Sequence, residues 1–286
     1  MLIIIIRQHW EDIMKNLFRI LLVITLVFCF TGISAAGEIQ KKLINESTIE
    51  KIIKSGKIRV GMSTFVPWAM QDKTGKWIGF EIDVATQLAK DMGVKLELIP
   101  TKWDGLIPSL ITGKLDVIIA GMAGTPQRAL KVNFTIPYDH SVENMVANKK
   151  VAAGFTKPED FNKKGVTVIT RLGVTANNTI DKLMPLATKR EFPDEGSLVQ
   201  ELINGKAHAI LISAPLPAFT ALKYPDKLFF LPNPLKSYPI SFGVRKGDPD
   251  TLAYFNNWIT VKRDQDWLKD TATYWFQTQE WKSKIQ

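Results

Sequence analysis

Two stretches of the chain, residues 106–121 (LIPSLITGKLDVIIAG) and 198–213 (LVQELINGKAHAILIS), match at a constant offset. Leu106, Leu110, Ile111, Gly113, Lys114 and Ile118 pair with Leu198, Leu202, Ile203, Gly205, Lys206 and Ile210. Each copy reads as a short helix, a glycine stop and a strand with a continuous apolar run. Continuous apolar strands between helices belong to a mainly parallel sheet covered on both faces. Residues 57–62 (KIRVGM) and 94–100 (VKLELIP) read as further strands, and residues 80–93 as an amphipathic helix stopped by Gly93. Helix–glycine–strand units are common, so a single match can arise by chance; taken as a repeat, it implies two lobes built on one plan. It also pairs the strand ends, Gly121 with Ser213. Ligands of open α/β sheets bind outside the carboxyl ends of strands, so two such ends facing each other would form a cleft.

The N-terminus bears on location. The apolar run at residues 20–30 is too short to span a bilayer comfortably. Lys15 and Arg19 precede it and Ser34-Ala35-Ala36 follows, the pattern of a secretory signal peptide over residues 1–36 with Met14 as a plausible start. The single cysteine, Cys29, lies inside that run behind the bulky Phe28, which argues against lipid attachment. The mature chain is then without cysteine, which excludes disulfides and thiolate metal sites. The formal charge of +9 becomes 34 − 26 = +8 once the three basic and two acidic residues of the leader are removed. The lysines are scattered rather than clustered, and no nucleic-acid-binding signature is present, so the balance reads as a solvated basic surface.

Residues 121–138 (GMAGTPQRALKVNFTIPY) hold the candidate chemistry. A glycine-rich turn leads to Thr125, a good N-cap, to Pro126, favoured at the first helical position, and to Arg128 in the first turn. Backbone N–H groups, a helix start and a guanidinium together suit a carboxylate or another small anion. From these residues alone an ordinary strand-to-helix turn with a solvated arginine fits equally well. A second turn of this kind, at residues 171–174, leads to a helix expected to be capped by Thr175. The proline-rich stretch 232–244 reads as a return crossing between lobes. The tail is amphipathic helix whose Trp258, Trp267, Trp275 and Trp281 are expected to pack.

The run GFEIDVATQLAKDMGVKLELIP, then KWDGLIPSLITGKLDVIIAG, then TPQRALKVNFTIPY resembles the polar-amino-acid-binding family of bacterial periplasmic solute-binding proteins, which feed ATP-driven importers. The resemblance covers nearly the whole mature chain. It implies a type II periplasmic-binding-protein fold: two α/β lobes with mainly parallel sheets and two hinge crossings, residues 45–140 with 240–286 forming the first lobe and 141–239 the second. By resemblance, Arg128 clamps the ligand carboxylate, with Ala120 and Gly121 as backbone positions beside it. Phe65 and Trp103 match the aromatics that sandwich the ligand side chain, and Arg171 and Thr175 match contacts of the second lobe. Trp68 joins the candidate aromatic wall, although packing explains it as well. A membrane permease is the implied partner; no nucleic acid, metal or cofactor is called for, and a monomer is expected.

Two positions depart from the family pattern. A Ser or Thr that helps hold the carboxylate is Ala123 here, and the aspartate that pairs with the ligand ammonium falls at Ser213. An unpaired buried ammonium costs several kcal/mol in order of magnitude. The protein therefore supplies another acceptor or binds a solute without a primary α-ammonium: an amine-free carboxylate, an acid bridging Arg128 and Arg171, or a betaine-like cation in an aromatic box. An ordinary α-amino acid is thereby disfavoured. Cyclohexadienyl dehydratases resemble the same family, but their general-acid glutamate falls at Asn177, which cannot donate a proton as a carboxylic acid does. His208 reads as structural, and His140 is the remaining acid–base candidate near the crossing.

Overall fold

The computed structural model describes residues 14, 17, 47–278 and 280–285. The expected signal peptide, Cys29 included, lies outside the described residues apart from Met14 and Leu17. Residues 52–286 form one unit, built on two five-stranded sheets. Helix α1 (Thr48–Ser55) precedes strand β1 (Lys57–Met62), in which Ile58, Val60 and Met62 are fully buried. A small hairpin, β2 (Met70–Gln71) and β3 (Trp77–Ile78), leads to α2 (Phe80–Asp91), then β4 (Lys95–Pro100), α3 (Leu106–Ile111), β5 (Val117–Ile118), the single turn α4 (Pro126–Ala129) and β6 (Asn133–Phe134). The second sheet follows: β7 (Asp139–Asn148), β8 (Thr167–Arg171), α5 (Ala176–Leu183), β9 (Thr188–Phe192), α6 (Glu195–Ile203), β10 (Ala209–Ser213), α7 (Leu216–Lys223) and β11 (Leu228–Ile240). The chain then returns through β12 (Gly243–Val244) to α8 (Pro249–Asp264) and α9 (Trp267–Thr273).

The strand orders are β4-β1-β5-β12-β6 and β9-β8-β10-β7-β11. In each sheet the fourth strand alone runs against the rest: β12 is antiparallel to β5 and β6, and β7 to β10 and β11. Those are the strands that follow a crossing, β7 into the second sheet and β12 back into the first. The mainly parallel expectation therefore holds, with one opposed strand per sheet delivered by the crossings. The two crossings are hydrogen-bonded to each other: Tyr138 N–H to the Ile240 carbonyl at 3.0 Å, Thr135 N–H to the Phe242 carbonyl at 3.1 Å, and Phe242 N–H to Thr135 Oγ1 at 2.9 Å. Such a paired ribbon is the kind of element about which two lobes rotate.

The internal match is structural. Both copies pass through a glycine in the left-handed region, Gly113 at φ 74° and Gly205 at φ 72°, where a side chain would be strained. Asp116 Oδ2 accepts the Arg59 N–H at 2.8 Å, and at the matching place His208 Nδ1 accepts the Thr167 N–H at 3.0 Å. His208 is thus a structural acceptor, and burial pushes its pKa down. Trp258, Trp275 and Trp281 are buried in the first core and Trp267 packs against it. Their indole N–H groups are satisfied, Trp258 by Asp91 at 2.8 Å, Trp275 by Asp83 at 2.6 Å and Trp281 by the Trp275 carbonyl at 2.8 Å, as buried tryptophans require.

Candidate functional site

Arg128 is placed by the local features read from its sequence, with two differences. Thr125 Oγ1 accepts the Arg128 N–H at 3.3 Å and Pro126 opens the helix. That helix, however, is one turn of four residues, so its dipole adds little. Gly121 is also less available than expected. At φ 64° it turns the chain beneath Trp68, whose ring an added Cβ would meet at 3.2 Å, and its N–H donates to the Tyr138 hydroxyl at 3.2 Å. The Tyr138 O–H in turn donates to the buried Glu81 carboxyl at 2.7 Å. Burial pushes Glu81 up to about 8, against the pull of that hydrogen bond.

Among the described residues, the Arg128 guanidinium donates its hydrogen bonds to main-chain oxygens. Nη1 donates to the Ala123 carbonyl at 2.9 Å and Nη2 to the Gly173 carbonyl at 2.8 Å. Among the described residues no carboxylate lies within 4.0 Å of it. Burial lowers its pKa to about 10. Trp103 lies beside it, 5.5 Å from ring centroid to the Arg128 Cζ, and donates its indole N–H to the same Gly173 carbonyl at 3.1 Å.

Arg171, at the end of β8, also lies near Trp103, 5.8 Å from Cζ to ring centroid, and is differently placed. Its Nη1 pairs with Glu195 Oε1 at 3.2 Å and reaches the Thr64 carbonyl at 3.2 Å, and its Nη2 donates to Ser63 Oγ at 2.8 Å. Arg171 thus bridges the two sheets' sides as an already paired cation. Trp68 does so too, through its indole N–H to the Ala214 carbonyl at 3.2 Å. Phe65 stacks on Trp68 at 6.2 Å and 9°, while Trp68 also packs edge-on against Phe80 at 5.7 Å.

All ten residues singled out from the sequence, Phe65, Trp68, Trp103, Ala120, Gly121, Ala123, Arg128, Arg171, Thr175 and Ser213, line one cleft. Ser141, Val174, Ile212 and Tyr238 join them. Thr175 does not cap α5 as expected: it has helical backbone angles and no capping bond. Its hydroxyl donates instead to Glu143 Oε1 at 2.6 Å, and Thr179 donates to Glu143 Oε2 at 2.6 Å. Glu143 is the residue the sequence reading missed. It is 1% exposed on β7, directly opposite Ser213 in the register with β10. The signal was an acidic residue two positions after Ser141 in the strand DHSVENMVAN, but only the strand pairing shows what it faces. Burial raises its pKa, partly offset by the two threonine donors.

Asn177 closes the turn before α5, its amide donating to the Arg171 carbonyl at 2.9 Å and the Val174 carbonyl at 3.2 Å. His140 is exposed on β7. No helix among the described residues is long and apolar enough to cross a membrane, and no group of three metal-ligating side chains is found among them.

The family model of bacterial extracellular solute-binding proteins, family 3, matches residues 58–278. The chain is 30% identical over 243 residues to the L-cystine-binding protein TcyJ of Escherichia coli, covering 84% of this chain and 90% of that protein. It is 23% identical to a cyclohexadienyl dehydratase of Pseudomonas aeruginosa over 81% of this chain and 87% of that enzyme. A solved structure from Wolinella succinogenes, provisionally described as the binding component of an ABC transporter and complexed with lysine, is similar with a TM-score of 0.75 and 36% identity, covering 80% of this chain and 99% of that one.

Proposed function

The chain belongs to family 3 of the bacterial extracellular solute-binding proteins, and on that premise we propose that it binds a small, amino-acid-like carboxylate between its lobes and delivers it, as a monomer, to the permease of an ABC importer. The lobes are residues 45–140 with 240–286, and 141–239. A cleaved leader over residues 1–36 sends the chain to the periplasm. The observation that carries this reading is Arg128. A half-buried guanidinium that, among the described residues, donates its hydrogen bonds to two carbonyl oxygens keeps its full charge without a counter-ion, and an unpaired charge drawn out of water is costly. A carboxylate entering the cleft removes that cost through a charge-assisted, bidentate bond.

Closure follows from the same contacts. Arg128 and Trp103 on the first lobe meet Gly173 on the second, and Arg171 on the second meets Ser63 and Thr64 on the first. A solute touching both lobes stabilises this closed arrangement over an open one by its differential affinity. Among the described residues the cleft lining itself holds no carboxylate, as expected, but Glu143 stands behind Thr175 and opposite Ser213, and its charge returns amine-bearing solutes to the class. An amino-acid ligand also accords with the amino-acid-binding relatives.

A dehydratase activity is not favoured. The general-acid position is Asn177, and its amide is engaged in closing a turn. A thermal-shift screen of amino acids, betaines, dicarboxylates, prephenate and arogenate tests the reading, since a ligand of the native state raises the melting temperature. At least one zwitterion or carboxylate is expected to stabilise the parent and to lose its effect in Arg128→Ala. Stabilisation unchanged in that variant, or turnover of prephenate or arogenate, would overturn it.

A further inference from the structure

Glu143 and Arg128 have complementary surroundings. Glu143 is buried and Arg128 half-buried, each is hydrogen-bonded by two neutral groups, and among the described residues neither has an oppositely charged group within 4.0 Å; Lys236, opposite Glu143 on β11, acts on it from beyond that distance. Arg128 is answered by two carbonyls. Glu143 is answered by two hydroxyls at 2.6 Å, a length typical of O–H donation to an ionised carboxylate. One donor, Thr175, lines the cleft, and so does Ser213, the cross-strand partner of Glu143. Directly opposite residues of an antiparallel pair share a face, with Cβ atoms about 5 Å apart. Side chains two apart on a strand also share a face, so Glu143 lies on the same face of β7 as the cleft-lining Ser141.

Resting on the solute-binding reading, we infer that Glu143 supplies the negative charge of an amine subsite whose cleft-facing surface is Thr175 and Ser213. The strand-end aspartate of the family pattern has in effect been moved across one strand pair, from β10 to β7. Each carboxylate oxygen of Glu143 uses one acceptor site on a threonine and keeps another free. The solute class is then a compound with a carboxylate at one end, for Arg128, and a protonated amine at the other, for Glu143. Glu143 is a positioning residue, because it acts from behind Thr175.

The test is calorimetric titration of the parent with the twenty standard L-amino acids and L-cystine, with the amine-free acid matching each binder, and with trimethylglycine. The amine-free acid and trimethylglycine are expected to bind at least about 30-fold more weakly than the amino acid. Glu143→Gln is expected to remove that preference, weakening the amino acid about 30-fold or more and leaving the amine-free acid within about twofold. Adding Ser213→Asp to Glu143→Gln should restore most of the affinity, which a merely structural glutamate would not allow. Should Glu143→Gln fail to fold, Glu143→Asp serves: a selective loss of about tenfold for the amino acid is expected, and equal affinities overturn the inference. Amino-acid affinity in Glu143→Gln within twofold of the parent, or an amine-free acid binding the parent as tightly, overturns the amine subsite. If Arg128→Ala abolishes binding in the same series, the solute-binding reading stands without it. No binding by any amino acid tested overturns both.

Discussion

The two arginines of the cleft flank the same tryptophan at 5.5 and 5.8 Å and differ in what answers their charge. Arg171 has Glu195, Ser63 and the Thr64 carbonyl; Arg128 has two carbonyls. A paired buried cation is a fixed part of the fold, whereas an unpaired one creates a demand for an anion. Arg171 is therefore read as a latch between the lobes and Arg128 as the ligand clamp, although both match ligand-contacting positions by sequence.

That contrast can be broken in stability and in binding separately. Arg171→Ala leaves Glu195 buried without its partner, and about 3 kcal/mol of stability should be lost at pH 9 in urea unfolding. The loss should shrink as pH falls, because burial, no longer opposed by the Arg171 charge, lets Glu195 take up a proton. Arg128→Ala should instead cost at least about 100-fold in affinity for whichever amino acid the thermal-shift screen finds, about 2.7 kcal/mol. Its melting temperature without ligand should stay level or rise, because an unpaired, half-buried charge has gone. A stability loss in Arg128→Ala as large as in Arg171→Ala would erase the distinction.

Behind the clamp, the Glu81–Tyr138–Gly121 chain makes stability depend on pH. Glu81 has its folded pKa raised to about 8 from an ordinary 4.5, so the folded state holds a proton the unfolded chain releases. Stability is then greatest below pH 4.5 for this group and declines as pH rises from there to about 8. Glu81→Gln should flatten that decline in thermal melts, and an unchanged slope would contradict it. Smaller still, Gly121→Ala forces a left-handed residue against Trp68 and should cost about 1–2 kcal/mol. Ser63→Ala removes one interlobe hydrogen bond and should cost about 1 kcal/mol; a larger loss would make Ser63, rather than Glu195, the main partner of Arg171.

Local signals carried much of this into the sequence. The helix–glycine–strand repeat, the Thr125-Pro126 start and the tryptophan spacing depend on residues a few positions apart, and each is found in the fold. His208 was read as structural because Asp116 stands at its place in the other copy, and both prove to accept a backbone N–H from the neighbouring strand. What escaped depends on residues far apart. The Gly121 N–H is taken by Tyr138 only because the crossing brings that ring back under the turn. Thr175 forgoes its cap because Glu143 offers a stronger acceptor across the sheet. Glu143 itself gains meaning only from the β7–β10 register, which the first crossing sets.

A crystal structure with the bound amino acid tests the central claim most directly. The account expects the solute carboxylate within about 3 Å of both Arg128 terminal nitrogens, with the Arg171–Glu195 pair intact beside it. A guanidinium still resting on the Gly173 carbonyl, with the solute anchored on Arg171 in place of Glu195, would contradict it.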